Sequence, residues 1–235
     1  MQVYICSRKG DACKAFASHV NKECQRLGLG SNRCTAIQAD LSSFQGCDQL
    51  FQTFTKELGE KNLHILINNA GATYGSALES HPEFAWDKLL NLNVKAAFRL
   101  VQLFVPLLET CASKDWPSTV INIGSINGIG VPFTDTFSYS ASKAALHHMS
   151  RVLASKLAEK NITVNALAPG PFPSKMTKVV LEKLGDVIID AVPLHRIGKP
   201  ADMAGATLLL SSPAGAYITG AVIPIDGGGL VKANL

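Results

Sequence analysis

Short apolar runs alternate along the chain with segments whose apolar positions recur at helical spacing. The runs read as β-strands and the periodic segments as helices. The predicted strands are Val3 to Cys6, Cys34 to Ala39, His64 to Ile67, Thr119 to Ile123, Thr163 to Leu167 and Val222 to Ile225. The predicted helices are Asp11 to Leu27, Phe44 to Leu58, Pro82 to Leu108, Ser138 to Lys160 and Pro200 to Ser211, with a helical loop region from Thr177 to Ala191. Gly28 fits a helix C-terminal stop and Pro82 a first helical turn. Alternation of this kind, with Ile, Val and Leu filling the strands, argues for a parallel sheet covered on both faces. The expected class is therefore α/β, a doubly wound parallel sheet. No repeat, linker or low-complexity segment interrupts the pattern, so one domain over residues 1–235 is expected. Ligands in such sheets bind beyond the carboxyl ends of the strands. Ser7-Arg8, Asp40, Asn69 to Gly71, Ser125 and Pro169-Gly170 all fall at such ends.

Composition narrows the class. With 47% apolar and 17% charged residues, the 235-residue chain can bury a substantial core. The net charge is only +4, and Lys and Arg form no run of five. Nucleic acid or an anionic membrane is thus not the expected partner. No stretch reaches the ~18 consecutive apolar residues of a membrane span. Cys6, Cys13, Cys24, Cys34, Cys47 and Cys111 show no C-x-x-C spacing. They read as free thiols in a reducing compartment. The first residues lack a long apolar region, so no signal peptide is read. A cytoplasmic location is expected, with an organellar targeting segment ahead of Met1 left open.

The candidate chemistry centres on Ser125, Tyr139 and Lys143. Tyr139 and Lys143 are four residues apart, which puts both on one helical face. A phenol, an ammonium and a hydroxyl together make a proton-transfer device. The ammonium favours the phenolate and should lower the Tyr139 pKa. A phenol titrating near 10 needs a shift of several units to work at neutral pH. One Lys rarely supplies that, so a second positive charge is expected nearby, such as an oxidised nicotinamide. His147 and His148 occupy adjacent helical positions that point apart, so no metal site is expected.

Seven motifs in order now carry a resemblance. They are NNAG at 68–71, Asn93 in NLNVKAAF, Ser125, YSASK at 139–143, VNALAPG at 164–170, RIGKP at 196–200 and IDGG at 225–228. The chain resembles the short-chain dehydrogenase/reductase family over nearly its whole length, and within it NADPH-dependent 3-oxoacyl-carrier-protein reductases. The resemblance implies a single-domain Rossmann-type fold and a reductase acting on a small-molecule or carrier-bound acyl substrate. It implies that Tyr139 exchanges the proton with the carbonyl oxygen, that Ser125 holds that oxygen, and that Lys143 binds the nicotinamide ribose. Asn93 would bend its helix and hold a relay water. The backbone of Asn69, Ala70 and Gly71 would lie along the cofactor, Pro169 and Gly170 beside the nicotinamide, and Ser174 at its carboxamide. Asp40, with Leu41, would meet the adenine. A homo-oligomer, dimer or tetramer, is implied through the two long helices.

Cofactor choice follows from charge. NAD-preferring relatives place a carboxylate where this chain has Ser7, followed by Arg8 and Lys9. A carboxylate repels a 2′-phosphate, whereas Arg grips it with paired charged bonds. NADP(H) is expected. One departure stands out: the Gly-rich fingerprint is absent, so the first strand and first helix of the family fold are expected to be missing. Weak NADPH binding and low activity of the 235-residue chain follow as an expectation. Pro171 to His195 should form a substrate lid containing Phe172, Met176, Val179 and Val180. Two alternatives stay open, a catalytically silent member acting by assembly or ligand sensing, and an NADP-dependent sugar or steroid alcohol dehydrogenase.

Overall fold

A computed structural model describes residues 1–57, 59–175 and 177–232. Leu58 at the end of the second predicted helix and Met176 of the predicted lid lie outside the described residues, as does the Val179 side chain. The chain divides into two compact units, Met1–Lys61 and Asn62–Leu235.

In the first unit, strand β1 (Val3–Ser7) leads to helix α1 (Gly10–Arg26), then β2 (Cys34–Gln38) and α2 (Phe44–Gln52). β1 and β2 pair in parallel, from Val3 opposite Cys34 to Ser7 opposite Gln38. Asn21 ties α1 to the start of β2. Its Nδ2 donates to the Cys34 carbonyl and its Oδ1 accepts from the Cys34 N–H, both at 2.8 Å. Ser43 caps α2 by accepting from the Gly46 N–H at 3.2 Å. Gly46 is dictated by closeness, because a Cβ there would stand 1.6 Å from the Asp40 carbonyl oxygen.

The second unit holds β3 (Ile65–Asn68), α3 (Glu83–Leu90), α4 (Ala96–Cys111), β4 (Ser118–Ile123), α5 (Phe137–Leu157), β5 (Ile162–Pro169), α6 (Lys178–Ala191), α7 (Pro200–Leu210) and β6 (Val222–Ile225). Its strands form a parallel sheet in the order β3-β4-β5-β6. β4 and β5 are buried almost throughout, as central strands covered on both faces must be. Neighbouring residues point to opposite faces. Val120 and Val164 pack with Val101 and Leu108 of α4 and Ala154 and Leu157 of α5. Ile121 and Leu167 pack on the other face with Leu210 and Met203 of α7.

The α/β class, the parallel pairing and most boundaries agree with the sequence pattern. Two features differ. The described strands form a two-stranded and a four-stranded sheet rather than one continuous sheet. The long helix expected from Pro82 is two helices joined by a π-turn at Asn91–Lys95. An extra residue in such a turn shifts the helical register, and π-turns of this kind concentrate at functional sites.

Candidate active site

The π-turn exists because Asn93 is held from outside its own helix. Its side chain is 1% exposed. Oδ1 accepts from the Ala72 N–H at 2.9 Å, and Nδ2 donates to the Ala72 carbonyl at 3.0 Å and to Ser142 Oγ at 2.9 Å. Both amide protons of Asn93 are therefore engaged. The side chain clamps the segment after Gly71 to α5, and only the second lone pair of Oδ1 is left to receive a water.

Helix α5 begins at Phe137, so Tyr139 and Lys143 stand on its first turns facing the end of β4. The Ser125 hydroxyl lies close enough to the Tyr139 phenol to favour its ionised form. Burial opposes this more strongly and raises the Tyr139 pKa overall. The expected lowering by Lys143 is thus not found in the protein alone. The ammonium sits 5.8 Å from the Tyr139 ring centroid, and burial lowers its own pKa to about 8. Lys143 Nζ donates to the Ile123 carbonyl at 2.7 Å, and its other two donors have no partner among the described residues.

A Cβ at Gly71 would come within 3.3 Å of Asn93 Oδ1 and 3.6 Å of Lys143 Nζ. Bare backbone thus faces the free ammonium donors, a cradle suited to a diol or other polar ligand lying along Gly71. Asn69 and Ala70 are exposed beside it. Pro169 ends β5. Gly170 donates to the Ile225 carbonyl at 3.0 Å, and a Cβ there would meet Asp226 Cα at 2.9 Å, so packing alone already requires this glycine. Ser174 sits in a local loop, its hydroxyl 2.9 Å from Thr177 Oγ1.

In the first unit, Ser7, Arg8 and Lys9 span the end of β1 and the start of α1. Ser7 Oγ accepts from the Lys9 N–H at 3.2 Å, while the Arg8 and Lys9 side chains are exposed. Two cations at a helix N-terminus suit an anion. Asp40 is exposed and accepts from the Ser42 N–H at 3.0 Å, whereas Leu41 is buried.

Residues 2–229 match the family described as Enoyl-(Acyl carrier protein) reductase. The chain belongs to the short-chain dehydrogenase/reductase family. This short-chain dehydrogenase/reductase is 43% identical over 231 residues to a rhamnolipid-biosynthesis 3-oxoacyl-[acyl-carrier-protein] reductase of Pseudomonas aeruginosa, covering 97% of this chain and 86% of the relative. It is 33% identical over 219 residues to a 7alpha-hydroxysteroid dehydrogenase of Escherichia coli, covering 93% and 82%. A Pseudomonas aeruginosa RhlG/NADP active-site complex superposes with a TM-score of 0.89 at 41% identity, covering 97% of this chain and 86% of that one. The enzyme is an oxidoreductase on these grounds, with the α/β fold of its relatives.

One residue of the enzyme escaped the sequence reading. His147, weighed only as a metal ligand, lies under the Ser125 turn, 3% exposed. The signal was its place in the row Tyr139, Lys143, His147, each four residues after the last.

Proposed function

We propose that the protein reduces the keto group of a 3-oxoacyl thioester with NADPH. The observation that carries this reading is the convergence of Ser125, Tyr139 and the free donors of Lys143 beside the bare backbone of Gly71. A bound reduced nicotinamide supplies the hydride. Everything else is the task of the chain's own groups. Ser125 Oγ, beside the phenol, would hold the carbonyl oxygen at the same point. Tyr139 donates its proton to that oxygen as negative charge develops on it. The raised pKa keeps the phenol protonated and ready to donate at neutral pH. Lys143 would hold the ribose hydroxyls with its two free donors, and its charge would stabilise the phenolate that remains. Asn93 keeps the floor of the site in place.

The cofactor grip would come from Asn69, Ala70, Gly71, Pro169, Gly170 and Ser174, with Ser7, Arg8, Lys9, Asp40 and Leu41 for the adenosine half. Arg8 beside a helix N-terminus supports the 2′-phosphate of NADP(H). The name of the Pseudomonas relative supports a carrier-bound acyl substrate. Exposed Phe98 on α4 and Val152 on α5 support association of copies through these helices. Six free thiols support a cytoplasmic location, and among the described residues no helix is long and apolar enough to cross a membrane.

A second reading is a steroid alcohol dehydrogenase, favoured by the 33% identical Escherichia coli relative. A substrate panel separates the two. The first reading expects NADPH consumption with acetoacetyl and longer 3-oxoacyl thioesters and little with 7-oxo steroids. The reverse order supports the second.

A further inference from the structure

Tyr139, Lys143 and His147 form one row on α5, and the third member has no role in the chemistry above. Its Nε2 accepts from the backbone N–H of Ser125 at 3.4 Å. The turn from Gly124 to Gly128 closes tightly over the imidazole. A Cβ at Gly124 would stand 2.0 Å from Nε2, and one at Gly128 would stand 2.9 Å from Cε1. Neither glycine has a positive φ, so it is the ring and, at Gly128, the α5 backbone that fill the space a side chain would need. Burial holds the His147 pKa down to about 4, and the Lys143 and Arg151 cations act in the same direction. A neutral ring is what the geometry needs, because only an unprotonated Nε2 can accept from Ser125.

We propose that His147 is a positioning residue: its imidazole pins the Ser125 backbone and so aims the Ser125 hydroxyl at Tyr139. The inference rests on the reductase reading above. The bond to Ser125 N–H fixes the turn from inside, while Asn127 N–H donates to Ser125 Oγ at 3.2 Å from the other side. With both in place the Ser125 backbone and its Oγ are each held by a bond from a different side. Loss of the imidazole bond lets the turn rotate, and the hydroxyl then misses the developing charge. The effect belongs to the chemical step, since His147 is not among the groups assigned to the cofactor.

Two measurements test this. The first needs no activity: long-range ¹⁵N–¹H NMR of the His147 ring in the full chain. The expected result is an unprotonated Nε2 with the proton on Nδ1, and a proton on Nε2 overturns the proposal. The second compares His147→Leu with His147→Gln. Leucine fills similar space without a hydrogen bond, and glutamine restores an acceptor. The expected result is a roughly tenfold lower kcat for His147→Leu with the KM for NADPH within about twofold, and recovery to within about threefold for His147→Gln. Equal losses in both variants, or a loss confined to KM, overturn the positioning role. Should His147→Leu fail to fold, Gly124→Ala pushes a methyl into the same ring and should itself lower kcat about tenfold; an unchanged kcat overturns the proposal. If the wild-type protein reduces no carbonyl, the reductase reading fails while the NMR result still decides the Ser125–His147 bond.

Discussion

Asn93 and Ala72 hold each other through two hydrogen bonds. The Ala72 N–H donates to Asn93 Oδ1 at 2.9 Å, and Asn93 Nδ2 donates back to the Ala72 carbonyl at 3.0 Å. The side chain thereby satisfies both backbone groups of Ala72, just after Gly71, and the π-turn at Asn91–Lys95 is the helix's accommodation to it.

Asn93→Ala should therefore be destabilising well beyond a surface change. It strands the Ala72 N–H and carbonyl and removes a donor to buried Ser142. The expected loss is about 3 kcal/mol, read from denaturant unfolding. A change within about 0.5 kcal/mol contradicts the clamp.

Lys143 should be a costly residue for the fold. Its folded pKa of about 8 lies below the ordinary value of 10.5. The unfolded chain thus binds the proton more readily between those values. Stability contributed by this group is complete above about pH 10.5 and is lost as pH falls through 8. Lys143→Met should then be more stable than wild type at pH 7, by about 2 kcal/mol once the lost bond to Ile123 is subtracted, and inactive. The advantage should vanish near pH 10.5. A variant less stable than wild type at pH 7 contradicts this.

His147 makes a prediction at the acid end. Its folded pKa of about 4 lies below the ordinary 6.5. Its contribution is present above pH 6.5 and fades as pH falls to about 4. Unfolding free energies of wild type should drop across that window more steeply than those of His147→Leu. Parallel curves contradict a buried neutral imidazole.

Cofactor preference should follow the end of β1. Ser7→Asp with Arg8→Ala places a carboxylate where a 2′-phosphate would lie and removes a cation. The expected outcome is a KM for NADPH raised about tenfold or more, with that for NADH unchanged or lowered. An unchanged ratio of the two removes Arg8 from the cofactor site.

Most of this was legible before the structure. Strand and helix positions followed from periodicity, because buried parallel strands such as β4 and β5 are written as unbroken apolar runs. Asn93 was expected to bend its helix, though not that Ala72 and Ser142 would absorb both its amide protons. The Tyr139 pKa ran opposite to the expected direction, because sequence spacing puts Lys143 on the same face but does not show the burial that raises the phenol. The place of His147 in the row with Tyr139 and Lys143 was legible, but what closes over its ring was not. Its value lies in Gly124 and Gly128, which spacing on α5 alone does not bring to it. The bond between the Ser174 and Thr177 hydroxyls was not legible either, because it is a local turn contact that the family motif does not describe.

The central claim is that Tyr139 gives the proton while NADPH gives the hydride to a 3-oxoacyl thioester. The most direct test incubates the protein at saturating concentrations of NADPH deuterated at the transferred position with a 3-oxoacyl thioester, and follows deuterium in the 3-hydroxyacyl product by mass spectrometry. The account predicts one deuterium per product formed by wild type and a rate at least about a hundredfold lower for Tyr139→Phe. A product without deuterium, or equal rates for the two proteins, would contradict it.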